Sequence, residues 1–279
     1  MTSGIPQANV SSLPARDDAQ SFSEMSVSIH MNAIACRMAI LLASLIHCAP
    51  AAAGDSSPQE THVYLVAGEL NYVGPLSAAA NAKAFSLFDA QEVKPTLLSI
   101  RSPGGNTDVG MELGNWVRQK RLTVKVMEVC FSSCANYVFT AAVKKIVSNF
   151  AVVGYHGGLS SQHFKLDEAT EASLSALPSD ERESARAKLM ESVMQHASSQ
   201  MTRERQFFDS IGVQQRITTL GQADRYRKLQ EQDERALGWY YSVEDFAKLG
   251  VSDIAVINPP WRPRFITSPY TVFKVDVDE

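Results

Sequence analysis

Two serines flanked by two cysteines stand at the end of an apolar run, in the segment Cys130-Phe-Ser-Ser-Cys134. An alanine-rich run that is compatible with a helix follows and reaches Ala142. A serine at such a strand-to-helix junction lies where unpaired backbone N–H groups and the helix dipole favour negative charge. This setting suits a nucleophile whose attack creates an oxyanion. The alternative is that Ser132 and Ser133 only cap a buried helix, because serine is a preferred N-cap residue.

Two further segments carry the other groups that a serine hydrolase needs. Such an enzyme combines its nucleophile with a base within hydrogen-bond reach and with donors for the oxyanion. His156 is the candidate base, and the backbone of Gly104 and Gly105 is the candidate donor. Glycine suits this role because it lets a substrate carbonyl approach the main chain closely. The alternative for His156 is a buried histidine with a structural role.

The elements that must position these residues alternate along the chain. Strands are predicted at residues 61–67, 96–100, 122–129, 145–148 and 151–155, and helices at residues 76–91 and 110–119. This alternation predicts an α/β fold with a largely parallel sheet and right-handed crossovers. Sites in such sheets form beyond the carboxyl ends of the strands. The Gly-Gly turn, the serine pair and the histidine are therefore expected on one side of the sheet.

The second half of the chain changes character. Charged helices are predicted across a helical insertion at about residues 160–236, where Met190, Val193, Met194 and Met201 form an apolar stripe that packs on this chain or on a second subunit. A strand and a short helix follow at residues 238–250, which ends the domain that we expect to span residues 54–258. Residues 259–279, interrupted by prolines, are predicted to form an extended C-terminal tail.

The N-terminal region is typical of a targeting segment. Residues 31–53 combine a short positive region, an apolar core and an Ala51-x-Ala53 cleavage site, which predicts a signal peptide cleaved after Ala53 and a secreted or periplasmic protein. The apolar run is too short to span a bilayer comfortably. Residues 1–30 are then a non-structural extension before a start at Met31. If they belong to the protein, the segment could instead be an uncleaved anchor.

Net charge, histidine spacing and cysteine count indicate which partners, metals and covalent bonds to expect. The net charge of −4, without a basic cluster, argues against a nucleic-acid partner. His62, His163 and His196 lack metal-ligand spacing, so no metal and no cofactor are predicted. After signal cleavage only Cys130 and Cys134 remain. They could form a disulfide in an oxidising compartment or pack as reduced, buried thiols.

Several motifs together resemble one family. Ser102-Pro-Gly-Gly105 with Gly110 is similar to the Ser-Pro-Gly-Gly turn of the Clp protease proteolytic subunit and its relatives, of the ClpP/crotonase-like superfamily. Val152-Val-Gly-Tyr-His156 resembles the segment that ends in the family's catalytic histidine. Gly68-Glu-Leu70 and the helix between Ser242 and Gly250 also resemble family segments. The likeness spans residues 62–158 and 238–257 and implies a repeated β-β-α spiral.

The resemblance implies a role for each candidate residue. Ser133 would be the nucleophile, with Ser132 as the alternative, and His156 the general base. The oxyanion donors would be the N–H groups of Gly105, in the Gly104-Gly105 turn, and of Cys134. The family's aspartate would fall near Gly238, which has no carboxylate, so a Ser–His dyad is expected.

Three functions follow as hypotheses. The first is a secreted serine peptidase or acyl hydrolase that acts on a peptide or acyl substrate. The second is an inactive relative that serves as a binding or assembly module. The third is a thiol enzyme that uses Cys134 with His156. The resemblance also implies a homo-oligomer.

Asp233 and Glu234 lie a few residues before Gly238. Either could replace the missing aspartate only through a shifted loop.

Overall fold

The computed structural model describes residues 60–161, 166 and 168–278. The expected extension at residues 1–30 and the expected signal peptide at residues 31–53 lie outside the described residues. Within the described ranges, we find no helix whose length and apolar content would allow it to cross a bilayer.

The described chain contains ten strands and six α-helices. The strands are β1 His62–Val66, β2 Glu69–Val73, β3 Leu97–Arg101, β4 Thr123–Val126, β5 Val129–Phe131, β6 Lys144–Ser148, β7 Val152–Gly154, β8 Ala236–Tyr240, β9 Ile254–Ile257 and β10 Thr271–Lys274. The α-helices are α1 Ala78–Asp89, α2 Thr107–Gln119, α3 Glu168–Ser175, α4 Ser179–Ile211, α5 Asp224–Gln232 and α6 Val243–Lys248. A π-helical segment covers Cys134–Phe139, and short 3₁₀ turns cover Leu159–Ser161, Gln215–Thr218 and Leu220–Gln222.

The main sheet has six strands in the order β1-β2-β3-β4-β6-β9. Only the β1–β2 pair is antiparallel, and every other neighbouring pair in this sheet is parallel. A second, shorter layer pairs β5 with β7 and adds parallel bridges from Leu76 to Gly105 and from Ser102 to Cys130. Successive units thus repeat the order long strand, short extended segment, helix. The predicted α/β fold, with its largely parallel sheet, repeated β-β-α units and helical C-terminal segment, is confirmed.

The core forms because each element buries one apolar face. Leu98 and Ile100 of β3 alternate with partly exposed neighbours, which is the period-two pattern of a strand. Helix α2 buries Leu113, Trp116 and Val117 at helical spacing, and the Trp116 ring packs on Phe85 and Phe88 of α1. The pairing of β5 with β7 and the bridge from Ser102 to Cys130 bring the carboxyl ends of β3, β5 and β7 together.

Some elements differ from the sequence-based expectation. The chain turns back after β1 at Ala67 and Gly68, whose φ values are 51° and 80°. Positive φ values at both positions fit a tight hairpin turn, which leads into β2, a strand that was not predicted from the sequence. The strand expected at residues 122–129 is divided between β4 and β5. In the C-terminal tail, β10 pairs with β8, and Val275 and Val277 are buried, so part of residues 259–279 is built into the fold.

The helical insertion is dominated by α4, which has 33 residues. Its C-terminal part packs Phe207 and Phe208 into the core, whereas its N-terminal part lies against α3 through the Arg186–Glu171 ion pair. The predicted apolar stripe is only partly buried within this chain: Val193 is 7% exposed, whereas Met194 is 51% exposed.

Candidate active site

The serine corner, residues 132 and 133, lies where β5 passes into the π-helical segment. Ser132 has a φ of 57°. This left-handed conformation is uncommon outside glycine and costs free energy in most residues. The Ser132 N–H donates to the Gly154 carbonyl at 2.9 Å, and its own carbonyl accepts from the Asn136 N–H at 2.8 Å. The tertiary fold therefore holds Ser132 in a strained turn, which is how a strand-to-helix junction can present a nucleophile.

His156 faces Ser132 from the end of β7. The Ser132 Oγ and the His156 Nε2 lie 2.7 Å apart, and both residues are half-buried. This separation is within hydrogen-bond distance. The Phe131 ring stacks parallel to the imidazole, with centroids 5.5 Å apart and planes 2° apart. Burial lowers the pKa of His156 from its usual value because the imidazolium loses hydration, so the oriented imidazole is biased toward its neutral, basic form.

Ser133 points elsewhere. Its hydroxyl donates to the Gly105 carbonyl at 2.7 Å, and the residue is 2% exposed. The resemblance implied Ser133 as the nucleophile and Ser132 as the alternative. The geometry favours Ser132, because the left-handed turn directs the two neighbouring side chains to different partners. Ser133 instead fastens the serine corner to the glycine turn.

The glycine turn, residues 104 and 105, lies directly against the serine corner. Gly104, at a φ of 102°, donates its N–H to the Ser102 Oγ at 3.1 Å. A Cβ atom on Gly104 would lie 2.7 Å from the Ser132 Cβ and 3.0 Å from the Ser133 N. Only glycine fits such a close approach. Among the described residues, no acceptor pairs with the N–H groups of Gly105 or Ser133. These N–H groups are candidate donors for an oxyanion at Ser132, beside that of Cys134, which the resemblance implied and which lies in the first turn of the π-helical segment.

A disulfide encloses the serine corner. Cys130 and Cys134 are bonded to each other, with Cα atoms 5.2 Å apart and both side chains fully buried. Of the two states left open by the sequence, the structure has the disulfide. A thiol nucleophile at Cys134 is not available in this state.

The position expected for a third catalytic residue holds Gly238. A Cβ atom there would lie 1.9 Å from the Tyr155 carbonyl oxygen and 3.2 Å from the His156 Cβ, so a side chain would collide with the histidine strand. Asp233 is engaged with Arg235 at 2.9 Å and with Thr271 at 2.8 Å. Glu234 is exposed. No carboxylate in the part of the chain that the structure describes hydrogen-bonds to the His156 ring.

Three neighbours of the dyad were not singled out from the sequence. Phe131 stacks on His156, Asn136 donates its Nδ2 to the Gly157 carbonyl at 3.0 Å, and Glu204 reaches the same region from α4. Asn136 is 2% exposed and follows Ser132 by one helical turn, which is the only sequence signal that could have indicated it. Across residues 60–161, 166 and 168–278, no group of three or more potential ligands is arranged to hold a metal ion.

Comparison with known proteins adds weak similarities. No family model and no curated protein matches the chain. Among solved structures, a membrane-bound stomatin-specific protease is 10% identical, covers 75% of this chain and 96% of its own, and has a TM-score of 0.32. An enoyl-CoA hydratase from Mycobacterium avium subsp. paratuberculosis is 11% identical, covers 55% of this chain and 87% of its own, and has a TM-score of 0.27.

An enoyl-CoA hydratase from Thermoplasma volcanium is 9% identical, covers 33% of this chain and has a TM-score of 0.25. The chain spans about half the length of that protein, with 49% of it covered, and the same holds for a related structure from Streptomyces coelicolor, with 51% covered. The candidate site described above rests on this chain's own geometry.

Proposed function

We propose that this protein is a serine hydrolase of the Clp-like fold, acting on peptide or acyl substrates with Ser132 as nucleophile and His156 as general base. The observation that carries the proposal is the 2.7 Å contact between the Ser132 Oγ and the His156 Nε2. A nucleophile and a base within this distance are the minimum arrangement for acyl transfer. Ser132 replaces Ser133, which the resemblance favoured, in this role.

The reaction follows from the geometry. The Ser132 Oγ attacks the substrate carbonyl carbon while the His156 Nε2 takes the hydroxyl proton. The negative charge that forms on the carbonyl oxygen is stabilised by the free N–H groups of Gly105 and Ser133. His156 then gives the proton to the leaving group. In the second half of the reaction His156 takes a proton from water, the water attacks the acyl carbon, and the proton passes to the Ser132 Oγ as the acyl group leaves.

A dyad without an orienting carboxylate remains chemically competent. Loss of that carboxylate typically lowers the rate by orders of magnitude without abolishing the chemistry. The parallel Phe131 ring supports the orientation of the His156 imidazole, and burial favours its neutral form. We therefore propose a slow hydrolase in which packing against Phe131 orients the His156 imidazole, a role that a carboxylate has in a catalytic triad.

We also propose that the protein is secreted or periplasmic and forms a homo-oligomer. Secretion is supported by the signal-peptide pattern at residues 31–53 and by a disulfide, which persists in oxidising compartments. The exposed N-terminal half of α4, with Met194 on its surface, is the candidate assembly surface. A monomeric mass in solution would contradict the oligomer.

The second candidate function is an inactive Clp-like module that binds or assembles. It is favoured by Gly238, which stands where a third catalytic residue would be expected. The deciding experiment is labelling of the mature, disulfide-bonded protein by a fluorophosphonate probe, followed by mapping of the modified peptide. An adduct on Ser132 supports the hydrolase, whereas no adduct under conditions that label a control hydrolase supports the inactive module.

A further inference from the structure

Glu204 is a buried carboxylate outside the dyad. It lies on α4, is 0% exposed, and accepts hydrogen bonds from the Tyr137 hydroxyl at 2.7 Å, the Gln215 side chain at 2.8 Å and the Leu159 N–H at 3.4 Å. Burying a carboxylate is unfavourable unless hydrogen bonds replace its hydration. Hydrogen bonds to a charged group are stronger than neutral ones, so these three contacts hold Glu204 firmly to its neighbours.

Two of the donors to Glu204 come from the segments that carry the dyad. Tyr137 belongs to the π-helical segment that begins just after Ser132 and Ser133. Leu159 follows His156 by three residues, and a Cβ atom on the intervening Gly158 would lie 3.1 Å from the Glu204 Oε1. One side chain of α4 therefore joins the serine segment to the histidine segment.

Asn136 adds a direct link between the same segments. Its side chain donates to the Gly157 carbonyl at 3.0 Å, next to His156. Beyond the pairing of β5 with β7 and the bond from the Ser132 N–H to the Gly154 carbonyl, the two segments are thus also joined through Asn136 and through Glu204. Helix α4 provides the link through Glu204, which lies on the side of Tyr137 and Leu159, beyond the ends of the paired strands.

We propose that Glu204 is a positioning residue that, together with the β5–β7 pairing, holds the Ser132 and His156 segments in register, so that seating of α4 completes the geometry of the dyad. This inference rests on the proposed hydrolase function for its catalytic consequence. It assigns the helical insertion a role in the chemistry beyond packing. Glu204 does not touch the reacting atoms and acts through Tyr137 and Leu159.

The test compares Glu204→Ala with Glu204→Gln. Glu204→Ala leaves the Tyr137 hydroxyl and the Leu159 N–H without an acceptor. In Glu204→Gln one oxygen remains as acceptor, and the Gln215 amide can turn its own oxygen toward the new NH₂ group. We expect Glu204→Ala to lower the fluorophosphonate labelling rate per folded molecule about tenfold to a hundredfold, the scale of a small misplacement. Glu204→Gln should restore most of that rate.

A second readout does not require activity. The imidazole of His156 is titrated by NMR in the wild-type protein and in both variants. We expect the pKa of His156 to rise toward its usual value in Glu204→Ala, because an opened segment hydrates the ring, and to stay near the wild-type value in Glu204→Gln. The matched controls are Asp209→Ala and Asp209→Asn, at an exposed position near the C-terminal end of the same helix and outside the candidate assembly surface, which should change neither readout.

The outcomes separate the two proposals. If the wild-type protein is not labelled but Glu204→Ala still shifts the His156 titration, the hydrolase function fails and the positioning role stands. If the wild-type protein is labelled and folded Glu204→Ala changes neither readout, the positioning role is overturned. If Glu204→Ala does not fold, Tyr137→Phe, which removes only the 2.7 Å hydrogen bond, is measured in the same way and decides. Unchanged labelling and titration in folded Tyr137→Phe would then overturn the positioning role.

Discussion

The Ser132 Oγ lies 2.7 Å from the His156 Nε2, although 24 residues separate them in the chain. The hydroxyl of the adjacent Ser133 forms an equally short hydrogen bond, but its acceptor is the Gly105 carbonyl. Two chemically identical neighbours thus have different roles. Ser132 lies beside the candidate base, and Ser133 connects the serine corner to the glycine turn by a hydrogen bond.

Substitution of each serine should separate these tasks. Ser132→Ala is expected to abolish fluorophosphonate labelling, because the attacking oxygen is lost. Ser133→Ala should retain labelling and lose about 1 kcal/mol of unfolding free energy, the usual contribution of one hydrogen bond. Labelling by mass spectrometry and urea denaturation measure the two effects. Labelling that survives in Ser132→Ala but not in Ser133→Ala would contradict the assignment.

The contact between Gly104 and the serine corner predicts a steric effect on activity. In Gly104→Ala the new methyl group would lie 2.7 Å from the Ser132 Cβ and from the Phe131 carbonyl oxygen, so the nucleophile must shift. We expect the labelling rate to fall by about a hundredfold, the cost of a displacement of about 1 Å.

The matched control is Gly68→Ala in the β1–β2 turn. Gly68 also has a positive φ, of 80°, but a Cβ atom there meets nothing within 4 Å. This variant carries the backbone strain without the collision, so it should lose some stability and keep its labelling rate. Equal losses of labelling in the two variants would show that strain alone explains the effect.

The Cys130–Cys134 disulfide should support the left-handed turn at Ser132. Removing it in the Cys130→Ala/Cys134→Ala double variant is expected to cost about 2 kcal/mol of stability, the chain-entropy value for so short a loop. Labelling should fall as well, because Ser132 can relax from its φ of 57°. Urea denaturation and labelling are compared with those of wild-type protein treated with a reductant. A reductant that raised activity would argue for thiol chemistry at Cys134.

The lowered pKa of His156 predicts the pH dependence of activity. The base must be neutral, and burial lowers its pKa from the usual value of 6.5. As pH falls, the labelling rate should therefore hold until the pH is below 6.5 and then decline by about tenfold per unit, as the imidazole becomes protonated. The control His196→Gln, at an exposed histidine, should leave this profile unchanged. An acid limb centred above 6.5 would contradict a buried base.

Much of the fold could be predicted from the sequence, because strands and helices have local apolar periods. The alternation of residues 96–100, 110–119 and 122–129 correctly predicted a parallel sheet. The elements that were missed, β2, β9 and β10, are short strands whose pairing depends on a distant or reversed partner. A tight hairpin turn at Gly68 and a strand formed by the C-terminal tail are decided by tertiary contacts.

The same division applies to the candidate site. The sequence by itself determined that a glycine turn, a serine pair and His156 follow strand ends, since residue order and strand propensity are local properties. Only the tertiary structure decided that Ser132 faces His156, that Cys130 and Cys134 are bonded, and that Glu204 joins the two segments. The physical reason is that the backbone conformation at Ser132 sets the direction of its side chain. The hydrogen bonds from Ser132 to His156 and from Tyr137 to Glu204 join residues that are 24 and 67 positions apart in the chain, which local sequence patterns do not specify.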